Sequence, residues 1–494
     1  MKSCDEWIVE AMQFRGHDLP EMAAAALENA LKLEPNDGSI RLELARCYFE
    51  SGRLAEGEDM MNSLGGTSGA DGEFLLEMGK VWMLGDNVTR AIECFGAVTP
   101  KEDEYQQAQL EAVLLLVRSG KTELARDLLE QRVGRAGKSA ILAEAVVAES
   151  EGNHSRACEL HDKLWRGSPD SQLHLESGYR YARLLANHGE MPKALSILRK
   201  CKLVERRLMK DKGLEQACRA RREYDLALMN EVGPEWFKGR CSLDSAQSFL
   251  MTGHPRSGTS LLAKSLASRM GWGWVDESAV FDSLAREWVA KHPSATTPGG
   301  LSTLLGHFQG GRAIQEKYLQ RQNAYLGGEG RKLLDKNPGL STSYVSLHAL
   351  LPDIAWIVAL RDPRDIAMSC YFQRFGDTML GWSSLTPGGT LEAVLHFFSI
   401  WARVREWLPT ESYREIKYEE FVEGKHSVLD SIEIACGSQK LLSPAGGPQV
   451  NLTPSYQDIQ KPIYQSAVSR WKTAGEVFAV EGGKWEELLG TFGY

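Results

Sequence analysis

At 494 residues the chain is longer than one compact core sustains, so two or three domains are expected. Its 43% hydrophobic and 25% charged residues are those of a globular protein, and a net charge of −9 argues against the basic surface that non-specific nucleic-acid binding requires, while leaving room for a local basic pocket. Nine cysteines stand singly, with neither CxxC nor a metal-ligand spacing, which predicts thiols in a reducing compartment and no metal site. The N-terminal MKSCDEWIVEAMQFRGHD lacks an apolar signal-peptide run, and no window approaches the roughly 18 apolar residues of a membrane helix. A cytoplasmic chain without membrane insertion is expected.

The first 206 residues repeat. Glycines recur at Gly16, Gly52, Gly85, Gly120, Gly152 and Gly189, at intervals of 32 to 37 residues, each between two apolar-periodic stretches. Alanine follows five residues after three of them, at Ala125, Ala157 and Ala194, where a small side chain lets paired helices approach. Prolines at Pro35, Pro100 and Pro169 mark the other boundary. The pattern predicts about six units of helix, tight turn and helix. LENALKLEPND (Leu27–Asp37) and ESGRLAEG (Glu50–Gly57) resemble the closing helix and inter-helix turn of tetratricopeptide repeats. Such a solenoid offers a concave surface for a peptide or partner protein. Residues 207–245 read as a helical connector that GPEW interrupts.

Next comes a stretch built to hold an anion. SFLMT (Ser248–Thr252) predicts a strand, GHPRSG (Gly253–Gly258) a loop, and the residues from Thr259 to Met270 a helix. A strand, a glycine-bounded loop and a helix N-terminus aim successive backbone N–H groups at one point. The loop is P-loop-like, yet Thr259 stands where a Walker A loop carries lysine, and the cation is Arg256. Further on, AWIVALRDPRDIAMSCYFQRF (Ala355–Phe375) predicts a buried strand ending at Arg361, then a helix opened by Pro363 that carries Ser369 eight residues after Arg361. Between these, RKLLDKNPGLSTSYVSLHALLP places Lys336 at a strand end, where open α/β sheets collect ligands. IKYEEFV (Ile416–Val422) predicts a further strand and helix start.

PRSGTSLL resembles the 5′-phosphosulfate loop of sulfotransferases, and Arg361 with Ser369 resembles their 3′-phosphate motif. Lys336 falls where protein-tyrosine sulfotransferases carry a catalytic lysine. DIQKPIYQSAVSRWKTAG (Asp458–Gly475) is similar to a string in tetratricopeptide-fused bacterial sulfotransferases, with Ser469 matching their phosphate-facing serine and Tyr464 and Trp471 as flanking aromatics. The chain is thus identified as resembling a tetratricopeptide-repeat-fused sulfotransferase, related to the protein-tyrosine sulfotransferases.

The fold expected is α followed by α/β. An N-terminal all-α helical-repeat solenoid fills residues 1–206, a helical connector 207–245, and a P-loop-like α/β domain with a central parallel sheet 246–494. The resemblance implies a sulfuryl donor, 3′-phosphoadenosine 5′-phosphosulfate (PAPS), held by Arg256, Ser257, Gly258, Thr259, Ser260, Arg361, Ser369 and Ser469. Arg256, Lys336 and the N–H groups of residues 257–260 would stabilise charge developing on the sulfuryl oxygens, without a metal. Glu277, in GWGWVDESAVF, matches the second acid of a Glu-Glu-Thr string in protein-tyrosine sulfotransferases and is assigned as the base, with Asp276 and then His254 as rivals. The acceptor expected is a protein or peptide tyrosine held with help from the repeats, and a homodimer is allowed. Alternatives are a carbohydrate or small-molecule acceptor, a non-catalytic repeat scaffold, and a kinase or NTPase with a degenerate loop. The last needs an acid at the strand end where Arg361 stands.

Overall fold

The computed structural model describes residues 2–17, 19–131, 137–166, 172–209, 212–308, 310–324, 326, 332–436, 466–480 and 482–494. Among the described residues, six helix pairs open the chain: Cys4–Gly16 with Pro20–Leu33, Gly38–Glu50 with Leu54–Ser63, Gly72–Leu84 with Val88–Ala97, Tyr105–Arg118 with Thr122–Gln131, Lys138–Ser150 with His154–Trp165, and Gln172–Asn187 with Met191–Met209. The periodic glycines sit at the turns within the pairs. In the third pair Asp86, not Gly85, takes the left-handed conformation. Asp37, Asp71, Asn87 and Asn153 cap helix starts by accepting a backbone N–H three residues on. Ala125, Ala157 and Ala194 are fully buried, as close helix approach requires. Pro35 and Pro100 follow helix ends, while Pro169 lies outside the described residues.

Among the described residues, five parallel strands make the sheet of the second half: β1 (Ser248–Thr252), β2 (Gly273–Asp276), β3 (Leu333–Lys336), β4 (Ile354–Leu360) and β5 (Tyr413–Lys417), in the order β2-β3-β1-β4-β5. Strand alternation divides the core. Leu250, Trp356, Val358 and Leu360 face one hydrophobic cluster, and Phe249, Met251, Ile357 and Ala359 face the other. Both faces are covered, so β4 reads as an unbroken apolar run, IAWIVAL, with every residue buried.

The repeats touch this half at both ends of the solenoid. At the near end Tyr179, Leu185, Leu198 and Cys201 of the sixth pair share one core with Tyr371, Phe397 and Phe478. At the far end Glu21 pairs with Arg286 at 2.8 Å. The turn at Gly52 lies so close to helix Val280–Lys291 that a Cβ there would stand 2.6 Å from Val280 Cγ2. Helix Leu214–Glu231, within the stretch read as connector, packs on helices Pro298–Gly306 and Pro387–Trp407, and its Asp225 meets His396 at 3.0 Å.

Candidate functional site

Parallel strands deliver their C-terminal ends to one edge, and the motifs carried by β1, β2, β3 and β4 end there. β1 runs into the loop at Gly253, β2 ends at Asp276 and Glu277, β3 at Lys336, and β4 at Arg361. The register sets Asp276 and Met251 on either side of Lys336, so the loop after β1 lies between the lysine and the arginine strand.

Gly258 is the N-cap of helix Thr259–Met270, at φ 90°. A Cβ there would run into the Tyr418 ring, and a glycine cap offers no side chain to the first-turn amides. Thr259 and Ser260 open that helix, both buried. Arg256 also holds a left-handed backbone, φ 75°, and its Nε donates to Ser369 Oγ at 3.0 Å. Arg361 Nη1 donates to the Arg256 carbonyl at 3.1 Å and Nη2 to that of Ala467 at 2.6 Å, with the guanidinium 4.6 Å from the Tyr418 ring centre. Two buried donors at the loop and the β4 end, Ser257 Oγ and Arg361 Nε, have no hydrogen-bond partner among the described residues, and neither do Asp365 Oδ2 and Trp471 Nε1 nearby. Orphaned donors beside an uncapped helix N-terminus fit a phosphate-bearing ligand.

Asp362 caps helix Pro363–Tyr371 and also binds Arg364, at 2.9 and 2.7 Å. Asp365 does not bond Arg361; its Oδ1 accepts the Trp471 amide at 2.8 Å. Burial raises its pKa, against the nearby Arg361 and the backbone N–H groups of Trp471 and Ser469. Ser469 is thereby fixed by its backbone, at φ 54°, next to the arginine cluster. Tyr464 lies outside the described residues.

The second cluster is Lys336 with Asp276 and Glu277. Lys336 is fully buried, and its Nζ pairs with both carboxylates. Burial works against its charge, but the two acids, Asp276 first, outweigh it and hold the lysine above its usual pKa. Asp276 is enclosed, whereas the Glu277 side chain is 42% exposed and faces outward from the strand end. Glu277 adopts φ 52°, uncommon for a non-glycine residue, and its amide donates to the Lys336 carbonyl at 2.8 Å. Ser278, the next residue, is held on two sides: Gln322 Nε2 donates to its hydroxyl at 2.6 Å and Asn337 Nδ2 to its carbonyl at 3.1 Å. His254 is buried with Nδ1 2.8 Å from the Pro255 carbonyl, and burial lowers its pKa to about 4.

Behind Lys336, a buried network escaped the sequence reading. Tyr318 and Gln322, one helical turn apart, donate to Asp335 Oδ2 at 2.5 and 2.8 Å. The Asp in Asp-Lys-Asn-Pro was its only signal. Burial raises the Asp335 pKa to about 7. The folded protein therefore keeps a proton that the unfolded chain releases above about pH 4, so this residue makes stability fall as pH rises from about 4 to 7. Asp335→Asn keeps an acceptor for Tyr318 and should gain on the order of 4 kcal/mol over the native chain at pH 8, relative to pH 4. Urea unfolding at the two pH values measures this, and an equal effect at both would refute it.

Among the described residues, no group of three or more His, Cys, Asp or Glu is placed to hold a metal ion, and no helix is long and apolar enough to cross a membrane.

A family model described as "Sulfotransferase family" matches residues 248–440, which hold the lysine cluster and the arginine cluster apart from Ala467, Ser469 and Trp471, and one described as "Tetratricopeptide repeat" matches residues 20–75. No curated protein matches the chain. Similar solved structures include a tetratricopeptide repeat protein from Parabacteroides merdae, 16% identical over 44% of this chain and 89% of that one, with a TM-score of 0.32. The sulfotransferase domain of the Synechococcus olefin synthase is 20% identical over 50% of this chain and 94% of its own, also at 0.32. A sulfotransferase from Mycobacterium avium is 12% identical over 75% and 94%, at 0.31. The two family matches, one over residues 20–75 of the helix pairs and one over the parallel sheet with its anion cradle, put tetratricopeptide repeats and a domain of the sulfotransferase family in one chain.

Proposed function

We propose that the chain moves a sulfuryl group from PAPS to an acceptor hydroxyl, the acceptor being a tyrosine of a protein or peptide, in the cytoplasm. The observation that carries the reading is the pair of orphaned buried donors, Ser257 Oγ and Arg361 Nε, beside the uncapped start of helix Thr259–Met270. Residues 257–260 would hold the 5′ end of the donor, and Arg361 with Ser369 the 3′-phosphate. Ser469 would border the same phosphates. The donor, when bound, would supply an activated sulfuryl group and leave as adenosine 3′,5′-bisphosphate. Glu277 accepts the proton that the acceptor hydroxyl loses. Lys336 orients that carboxylate and, with Arg256, places positive charge where oxygen charge develops. The repeats, fused to this unit, present the macromolecule. We keep residues 1–206, 207–245 and 246–494 as the repeat, connecting and catalytic units, with a core that continues across their borders.

The reading is tested with adenosine 3′,5′-bisphosphate and AMP, which differ only in the 3′-phosphate. Arg361→Ala and Ser369→Ala should weaken the bisphosphate, with Arg361→Ala costing about 2–4 kcal/mol, the range for a charged contact in a largely desolvated site, while AMP binding changes little. Calorimetry decides, and equal losses for both ligands would remove the 3′-phosphate assignment.

A further inference from the structure

The helix that carries Ser369, Pro363–Tyr371, does not end on its own domain. Just past its last turn, the carbonyl of Gln373 accepts a hydrogen bond from Lys202 Nζ at 3.2 Å. Lys202 belongs to Met191–Met209, the final helix of the sixth repeat pair. The ammonium stands 4.9 Å from the Tyr179 ring centre and 5.3 Å from that of Tyr371, so an aromatic of each half flanks it. One turn along the same repeat helix, Glu205 accepts the Tyr179 hydroxyl and pairs with Arg374 at 3.3 Å. A second tether reaches the other phosphate element: Arg470, adjacent to Ser469, donates to Asn187 of the sixth pair at 2.7 Å.

A lysine with 4% of its surface exposed is an expensive residue to place at a packed junction, where leucine or methionine would fill the volume. Burial lowers its pKa to about 8, against Glu205, Cys370 and Cys201. What lysine adds is a cation just past a helix C-terminus, where it holds the Gln373 carbonyl beyond the C-cap and complements the helix dipole. Gln373 lies four residues, about one turn, beyond Ser369, so a shift of that end moves the Ser369 hydroxyl and its bond to Arg256.

We infer that Lys202 is a positioning residue for the nucleotide 3′-phosphate, fixing from the last repeat the end of the helix that presents Ser369. The inference rests on the donor reading given above. It makes the sixth repeat pair part of the nucleotide site, in addition to any role in presenting an acceptor.

The test uses the full chain with adenosine 3′,5′-bisphosphate and AMP as probes. Lys202→Met should weaken the bisphosphate about tenfold and leave AMP within about twofold, and Lys202→Arg should recover most of the loss. Arg374→Gln, at a partly exposed position, gives an independent arm if Lys202→Met fails to fold, and should shift the ratio of the two affinities in the same direction. Equal weakening of both ligands, or no change in either, would overturn the inference while leaving the donor reading intact. A native chain that does not distinguish the two ligands would overturn the donor reading, and this inference with it.

Discussion

Glu277→Gln is expected to lower kcat by about 10²–10⁴-fold while adenosine 3′,5′-bisphosphate binds almost as before. Glutamine keeps the shape of the side chain and an oxygen for Lys336, so the variant loses little except the capacity to take a proton. Exposure separates the two adjacent acids. The Glu277 side chain is 42% exposed and can meet an acceptor hydroxyl, whereas that of Asp276 is 5% exposed and occupied with Lys336. Asp276→Asn should therefore reduce turnover much less. The backbone supports the same assignment, because φ 52° at Glu277 costs on the order of 1–3 kcal/mol and persists only where neighbours hold it. Here the Lys336 carbonyl, Gln322 and Asn337 do so. Sulfuryl transfer from PAPS to a tyrosine-containing peptide gives the rate. Near-native turnover in Glu277→Gln would pass the role to Asp276 or His254.

Lys336→Met should be costly twice, and the two losses can be separated. Without the ammonium, the orientation of Glu277 and a fixed positive charge both disappear, and kcat should fall by about 10²–10³-fold. Stability should fall as well, by about 3–5 kcal/mol near neutral pH, because the enclosed Asp276 carboxylate is left without its counter-ion. Burial already raises the Asp276 pKa, and loss of the lysine raises it further. A raised carboxyl in the folded state favours the protonated form, so the stability deficit should shrink as pH falls. The double variant Lys336→Met, Asp276→Asn should recover most of the stability and none of the turnover. Recovery of turnover as well would mean that Lys336 acts only as a structural counter-ion for Asp276.

Much of this architecture was legible because its signals are local. SFLMT is β1 from end to end, and Pro363 opens its helix behind the Asp362 cap. Arg361 ends an apolar run whose every residue is buried. The turns of the repeats were visible through glycine spacing, although Asp86 takes the left-handed position beside Gly85. What sequence could not display are partnerships between distant residues. Ser341 both accepts from the Gly253 amide and donates to its carbonyl, although 88 positions separate them. The Tyr418 ring closes off the space beside Gly258 from the opposite end of the domain. Lys336 could be placed at a strand end, but its double pairing follows from β2 lying next to β3, which local pattern does not encode. The sharing of one core between the sixth repeat pair and the catalytic half is of the same kind, because apolar spacing marks a buried face without naming what buries it.

An open solenoid can grow or shrink by whole units, since each unit meets only its neighbours. This one returns to the same body at both ends, through Glu21 and Gly52 at the beginning and through Lys202 and Asn187 at the close. It is a closed circuit with a fixed circumference. Excising or duplicating one helix pair between residues 72 and 165 would leave every surviving pair chemically intact, yet the arc would no longer meet both anchorages. Repeat number in this protein is therefore a dimension set by the catalytic half, as a belt is cut to the wheels it joins.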